Sequence, residues 1–308
     1  MNLALQSLQT RKKLVQKPLN FSSDEEKQKW RRRRRLILSK IPECLSKKIV
    51  KVSFASKKED FEEAFSLLYE RYNAVGLLPD LPEQIFFTPY QALPKSRVCL
   101  ARNIKTGQVT STGTLVLDSE LGLPSDCIYK DLLDELRSQG RRLAEITCLA
   151  AKTDVHSRNG IFYVFRLLYK YAVTKGATDL VISINPKHSE FYELILLFER
   201  YGPLRYYSNL VDAPAYLERL ILPNLSQRYE EVYSDFQEGR IVVDFFFKKK
   251  FREDIEELSK IRNFTPEIFR YFFLERTEQF QNLPSHFQEF FIEYFGLSDF
   301  DKKISATA

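Results

Sequence analysis

The stretch RRLAEITCLAAK, residues 141–152, decides how the chain is read. Glu145 is a single carboxylate inside an apolar, strand-like run with Ile146, Leu149, Ala150 and Ala151, where burying an unpaired charge is costly. A polar turn, residues 153–160, follows, and apolar periodicity predicts a helix over 161–175 stopped by Gly176. LVISIN, residues 180–185, then reads as a second buried strand, so the unit is strand, turn, helix, strand, with a phosphate-holding turn expected at the first crossing. Glu145 has two readings here: a carboxyl that burial tunes toward neutrality, as a general base requires, or the partner of Arg141 or Arg142 in a fold-holding ion pair.

Working outward, IVKVSFA (49–55) alternates as a half-buried strand, and Phe61, Phe65, Leu68 and Tyr72 recur at helical spacing over 59–75 before Gly76. RVCLARN and VTSTGTLVLD, joined by NIKTGQ, predict an antiparallel hairpin, and CIYKDLLDELRSQG (127–140) a helix leading into the opening stretch. A short helix over 189–200 and the strands LRYYSNLV and AYLERLIL complete the pattern near Pro223. This alternation predicts an α/β fold with a mixed sheet flanked by helices. Three regions follow from it: a basic N-terminal arm, 1–48; an α/β core, 49–223; and an aromatic-rich helical region, 224–308. In the last, Thr265 and Pro266 predict one helix start, Ser285 with Gln288 a capping box, and Phe287, Phe290, Phe291, Tyr294 and Phe295 one buried face. These helices are expected to pack on the sheet, with a cover over an apolar substrate tunnel as the functional alternative.

The 308 residues, 44% apolar and 14% aromatic, are enough for a large core built from rings. Four scattered cysteines suggest neither a zinc knuckle nor a disulfide framework, and a cytoplasmic protein without a signal peptide or membrane span is expected. The net charge of +6 is concentrated early, in Arg31 to Arg35 after Trp30, which suits an acidic partner: an acidic carrier protein, anionic lipid or nucleic acid, the last being disfavoured. FFFKKKF, 245–251, suggests peripheral membrane contact as an alternative to an ordinary packed edge. Only His156, His188 and His286 are present, none in a hydrolase or zincin context, and no Walker loop, dinucleotide fingerprint or metal-ligand cluster occurs. No metal and no permanently bound cofactor is expected. Glu145, Tyr192 and the turn before Ile161 remain as chemistry.

GTLVLDSELGLPSD (113–126), LRSQGRRLAEITCLA (136–150) and INPKHSEFYELILLFERYGPLRYY (184–207), with YERYNAVGLL (69–78), together resemble the catalytic core of the FeeM-type N-acyl amino acid synthases. These are relatives of the GNAT acyltransferases and the acyl-homoserine lactone synthases, and the resemblance covers about residues 50 to 222. It implies a GNAT-like fold and places Glu145, with Ile146 and Thr147, at the strand carboxylate of the lactone synthases' E-x-[ST] pattern; Cys148 stands where those enzymes usually have Arg. It also implies that Tyr192 assists the departing thiolate, the alternative being a core tyrosine, and that Arg71 and Tyr72 order an acceptor carboxylate.

Amide formation from a thioester needs a base for the amine, hydrogen bonds to the carbonyl oxygen and relief of the leaving thiolate. Glu145, backbone amides around Leu149 in the Thr147–Cys148–Leu149 run, and Tyr192 supply these parts in the implied enzyme. HSRNGIF offers Arg158, Asn159 and Gly160 but lacks the second small residue of a coenzyme A loop, because Phe162 stands there. Such a turn suits the single phosphate of phosphopantetheine, hence an acyl carrier protein donor rather than acyl-coenzyme A. The implied reaction is transfer of a long fatty acyl group to the amine of an amino acid or similar acceptor. The alternatives are a coenzyme A-dependent GNAT-like enzyme acting on another amine, and a non-catalytic protein that binds nucleic acid or lipid through the basic arm.

Overall fold

A computed structural model describes residues 23–40, 45, 49–233, 235–249, 252–260 and 264–297; of 39, 40, 155–159, 209, 252 and 253 it describes the backbone alone. Eight strands form the centre. They are β1 (Val50–Phe54), β2 (Arg97–Asn103), β3 (Val109–Leu117), β4 (Leu143–Ala151), β5 (Asp179–Ile184), β6 (Glu199–Arg200), β7 (Arg205–Tyr207) and β8 (Ala213–Ile221), in the order β1-β2-β3-β4-β5-β8-β6 with β7 also on β8. Every pairing is antiparallel except β4 with β5. That parallel contact is short, registering Leu143 to Glu145 on Asp179 to Val181, and beyond it the two strands diverge around a cavity.

One face of the sheet is covered by α4 (Val155–Thr174), α5 (Pro186–Ile195), α6 (Leu225–Tyr233) and α7 (Gln237–Val243), the last running into a π-helical turn, Asp244–Lys248. The other face carries α2 (Lys58–Asn73), α3 (Asp126–Ser138), α9 (Pro266–Arg270) and α10 (Ser285–Phe295). Alternation along β5 divides the layers, with Leu180, Ile182 and Ile184 facing α4 and α5 and Val181 facing α2 and α3. Rings dominate the second layer: Phe65 stacks on Phe87 at 4.9 Å and Phe269 on Phe273 at 4.4 Å. Helix α8 (Arg252–Ser259) closes the exposed side of β1, where Glu257 accepts the Phe54 amide at 3.0 Å and Asp254 receives Arg166 and Lys170 of α4. A lone edge strand is thereby given a partner for its backbone.

Several expectations are corrected. The basic run lies on α1 (Asp24–Lys40), where Arg31, Arg32, Arg34 and Arg35 are exposed while Arg33 is buried, donates to the Leu194 carbonyl at 2.8 Å and lies over the Tyr233 ring. Ser285 makes no capping box; Pro284 takes the cap position, whereas Thr265 caps α9 as expected by accepting the Ile268 amide. On α10 the buried face is Phe287, Phe291 and Phe295, while Tyr294 is exposed. In FFFKKKF, Phe245 and Phe246 are buried and Lys248 pairs with Glu230, so the described part is a packed edge; Lys250 and Phe251 lie outside the described residues. Helix α5 starts at Pro186, capped by Asn185, and ends before Arg200, which is in β6. LRYYSNLV keeps strand geometry only over Arg205–Tyr207, then forms a 3₁₀ turn.

The expected turn at 153–160 is mostly helix, because α4 begins at Val155. Gly160 is therefore a helical residue, and a Cβ there would collide with Ser111 Oγ and come within 3.1 Å of Ser111 Cβ and 3.3 Å of Ala101 Cβ. Its small size lets α4 approach β2 and β3. Gly160→Ala is expected to destabilise the fold by about 1–3 kcal/mol through overpacking, read as a lower urea midpoint at unchanged slope. An unchanged midpoint would contradict this role.

Candidate active site

A cavity of about 470 Å³ lies where β4 and β5 part, lined by β4 from Ile146 to Ala151 and by β5 from Ile182 to Ile184. It crosses the sheet. On the α2 side it is bounded by Arg71 and Tyr72, and on the α5 side by Lys187, His188 and Tyr192. Tyr207, Leu210 and Pro214 form a third wall. None of its lining residues comes from beyond Ala215, so the described C-terminal helices pack on the sheet without covering the cavity.

The shape of β4 within the cavity follows from one irregularity. Thr114 registers on Thr147 and Thr112 on Ala150, so Cys148 and Leu149 together oppose Gly113 in a bulge, with Cys148 at φ 52°. The bulge reverses the alternation: Cys148 turns to the α2 face, and Leu149 turns toward α4 into the space that Gly113 leaves. A side chain at 113 would meet Leu149 Cδ2 at 2.6 Å and Val164 Cγ1 at 3.0 Å. Backbone around Leu149 is thus released from regular pairing beside the cavity. The Cys148 thiol is pushed up to about 12 by burial, so it keeps its proton at neutral pH and is not a thiolate nucleophile.

Glu145 is the last β4 residue in register with β5 and is 1% exposed. Its neighbours across the ladder, Val116 and Val181, are both apolar and fully buried. Desolvation between them pushes the carboxyl up to about 8, against two hydrogen bonds that favour the ion, from the Ser125 amide at 2.9 Å and the Ser125 hydroxyl at 2.8 Å; the charges of Asp126 and Asp118 push it further up. The expected ion pair with Arg141 or Arg142 does not form. Arg141 pairs with Asp179 at 2.6 Å, and the Arg142 amide is bound to the Thr178 hydroxyl. Ser125 caps α3, yet its hydroxyl makes no cap bond and goes to Glu145 instead. Arg137 fixes this corner by bridging Asp118 at the end of β3 and Asp126 at the start of α3.

Tyr192, 9% exposed, lies on the opposite face from Glu145, among Phe191 and Phe198. Burial, and then the charge of Glu218, raise its phenol, so it keeps its proton. Glu218 on β8 is itself fully buried, accepts the Ser189 hydroxyl of α5 and is pushed up to about 7, mainly by desolvation. Tyr72 is likewise raised by burial. Arg71 makes no ion pair with another described residue, which leaves a cation at the cavity wall. The cavity thus gathers Arg71, Tyr72, Thr147, Cys148, Leu149 and Tyr192, whereas Glu145 stands behind its wall. Gly160 packs elsewhere, and the side chains of Arg158 and Asn159 lie outside the described residues. Ser125, Ser183 and Tyr207 were not singled out by the sequence, although Ser183 is, like Glu145, a polar residue in an apolar strand. No group of residues suited to hold a metal occurs among the described residues, and none of their helices is long and apolar enough to cross a membrane.

A mixed sheet opened between its two parallel strands, with one cavity through the gap and a bulged strand along it, is the architecture of a GNAT-like acyltransferase. Residues 63–221 match the family described as N-acyl amino acid synthase FeeM, and the chain belongs to that family. The solved structure of FeeM, an N-acyl amino acid synthase from uncultured soil microbes, is similar with a TM-score of 0.51 at 26% identity over 58% of this chain and 93% of that one. The AHL synthase LasI is more distant, with a TM-score of 0.40 at 16% identity over 56% of this chain and 88% of LasI. A polyamine N-acetyltransferase of Drosophila melanogaster has a TM-score of 0.43 at 10% identity over 56% of this chain and 100% of its own. Among curated proteins, none matches this chain.

The raised carboxyl makes stability depend on pH. Folded Glu145 holds its proton up to about 8, while the unfolded chain releases it near the ordinary value of 4.5, so between these the folded state binds more protons. The contribution is complete below about 4.5 and is lost as pH rises through about 8, at no more than about 1.4 kcal/mol per pH unit. Glu145→Gln, which is neutral throughout, is expected to gain stability relative to the parent across that window in urea titrations. A stability difference independent of pH would contradict the assignment.

Proposed function

We propose that this acyltransferase moves a long-chain fatty acyl group from the thioester of an acyl carrier protein to the amine of an amino acid or similar small amine. The observation that carries the reading is a cavity through the sheet with a raised carboxyl at its apex on one face and a protonated tyrosine on the other. In this reading the amine enters from the α2 side, where Arg71 offers a bidentate site for an acceptor carboxylate and Tyr72 a wall beside it. The thioester enters from the α5 side. Glu145 takes the amine proton, the nitrogen attacks the carbonyl, and backbone amides around Leu149 hydrogen-bond the oxygen as charge develops. The C–N bond forms and the C–S bond breaks. Tyr192 hydrogen-bonds the departing phosphopantetheine thiolate, which takes up the second proton that the nitrogen loses as the amide forms, and the products are the N-acyl amine, the carrier thiol and protonated Glu145.

A carrier protein donor is supported by the surface beside α5. Helix α1 packs on that helix through Arg33 and through an ion pair of Arg32 with Glu190 at 3.2 Å, and presents exposed Arg31, Arg34 and Arg35. A basic ridge near the thioester entrance attracts an acidic carrier and raises the encounter rate. Arg158 and Asn159 remain the proposed contacts for the single phosphate, here near the start of α4 rather than in a loop, whereas Gly160, inside the helix and packed against Ser111 and Ala101, is withdrawn from that role.

The test is a purified assay with one acyl chain presented on carrier protein and on coenzyme A. Wild-type protein is expected to use the carrier thioester with higher kcat/KM, and Glu145→Gln to lose at least about 100-fold in rate while keeping its circular dichroism spectrum. Full activity of Glu145→Gln would remove Glu145 from the mechanism, and a preference for the coenzyme A thioester would overturn the donor.

A further inference from the structure

Glu145 is not on the cavity wall, and any base must reach its proton directly or through hydroxyls or water. The hydroxyl of Ser125, itself fully buried, donates to Glu145 Oε1 at 2.8 Å and lies 2.7 Å from the Ser183 hydroxyl. Ser183, on β5 beside Val181, lines the cavity. The Tyr207 hydroxyl, also from the cavity wall, approaches Ser125 at 3.4 Å, so the serine hydroxyl is the point where the wall and the carboxyl meet.

We infer that Ser183 and Ser125 form a proton relay from the acceptor amine to Glu145, with Ser183 as the group that touches the amine and Ser125 as the positioning residue behind it. The inference rests on the acyl transfer proposed above. The acceptor's ammonium group gives a proton to Ser183 Oγ, Ser183 gives its own to Ser125 Oγ, and Ser125 gives its own to Glu145. Each hydroxyl gains one proton and loses one, the carboxylate becomes a carboxylic acid, and the nitrogen lone pair is freed for attack. The Ser125 hydroxyl makes no cap bond to α3: it is turned toward Glu145, to which it gives its single proton, and a lone pair is left for Ser183. It also keeps the carboxyl dry between Val116 and Val181 while the amine stays in the open part of the cavity.

The experiment measures transfer from myristoyl-carrier protein to a mixture of the proteinogenic amino acids, comparing wild type with Glu145→Gln, Ser125→Ala, Ser183→Ala, Ser183→Thr and the double alanine variant. Both single alanine variants are expected to lose about 100-fold in kcat with little change in donor KM, and the double variant to be no worse than either, because both cut one chain. Ser183→Thr, which keeps the hydroxyl, is expected to recover most of the rate. The pH profiles separate the two roles. Ser125→Ala removes a donor to the carboxylate and moves the rising limb of kcat/KM to higher pH, whereas Ser183→Ala leaves that limb where it was. Near wild-type kcat in Ser125→Ala and Ser183→Ala with an inactive Glu145→Gln would overturn the relay and leave the acyltransfer reading standing. No transfer by wild type, or full activity in Glu145→Gln, would overturn that reading and the relay with it.

Discussion

Two parallel strands that pair for three residues and then separate set the terms for everything else in this protein. Beyond Glu145 and Val181 the backbones of β4 and β5 no longer satisfy one another, and a cavity of about 470 Å³ lies in the gap. The β3–β4 side of the gap is shaped for it. The bulge at Cys148 and Leu149 bends β4 away, and Gly113 provides the space into which Leu149 turns. A regular ladder here would close the cavity.

At the apex of that opening the sheet buries a carboxyl between two valines. In water Glu145 would ionise easily; here desolvation outweighs the two Ser125 hydrogen bonds, and the balance falls near neutral pH. The surrounding ion pairs fix the position of this corner, with Arg137 clasping the ends of β3 and α3 and Asp179 holding Arg141 and Arg219 below it. These charged groups near Glu145 thus have partners of their own, whereas Glu145 is left to burial and a serine. On the far face Tyr192 is kept protonated by the same physics. Carboxyl and phenol thereby stand on opposite faces of the sheet, the arrangement that the proposed reaction uses.

Much of this was legible in the sequence because it rests on local patterns. Alternation marks β1, a turn between two strand patterns marks β2 and β3, apolar runs mark β4 and β5, helical spacing marks α2, and a carboxylate in an apolar run marks Glu145. What could not be read was tertiary. Nothing in PSDC distinguishes a serine that caps a helix from one that turns its hydroxyl to a strand twenty residues on, and the bulge depends on Gly113 and Leu149 meeting across two strands. The polar stretch 153–160 reads as a turn, yet most of it is helix, and Gly160 is constrained by close contact with Ser111 and Ala101 rather than by a turn. Nothing in the run Arg31 to Arg35 sets Arg33 apart, because its partners, the Leu194 carbonyl and the Tyr233 ring, come from distant parts of the chain.

The central claim is that the two substrates approach the gap from opposite faces of the sheet. A crystal structure with a non-reactive thioether analogue of acyl-phosphopantetheine and the acceptor product tests it most directly. The account predicts the thioether sulfur beside Tyr192 on the α5 face, the acyl chain within the gap, and the acceptor nitrogen nearest Ser183 on the α2 face. Both ligands on one face, or an acyl chain bound away from the space between β4 and β5, would contradict it.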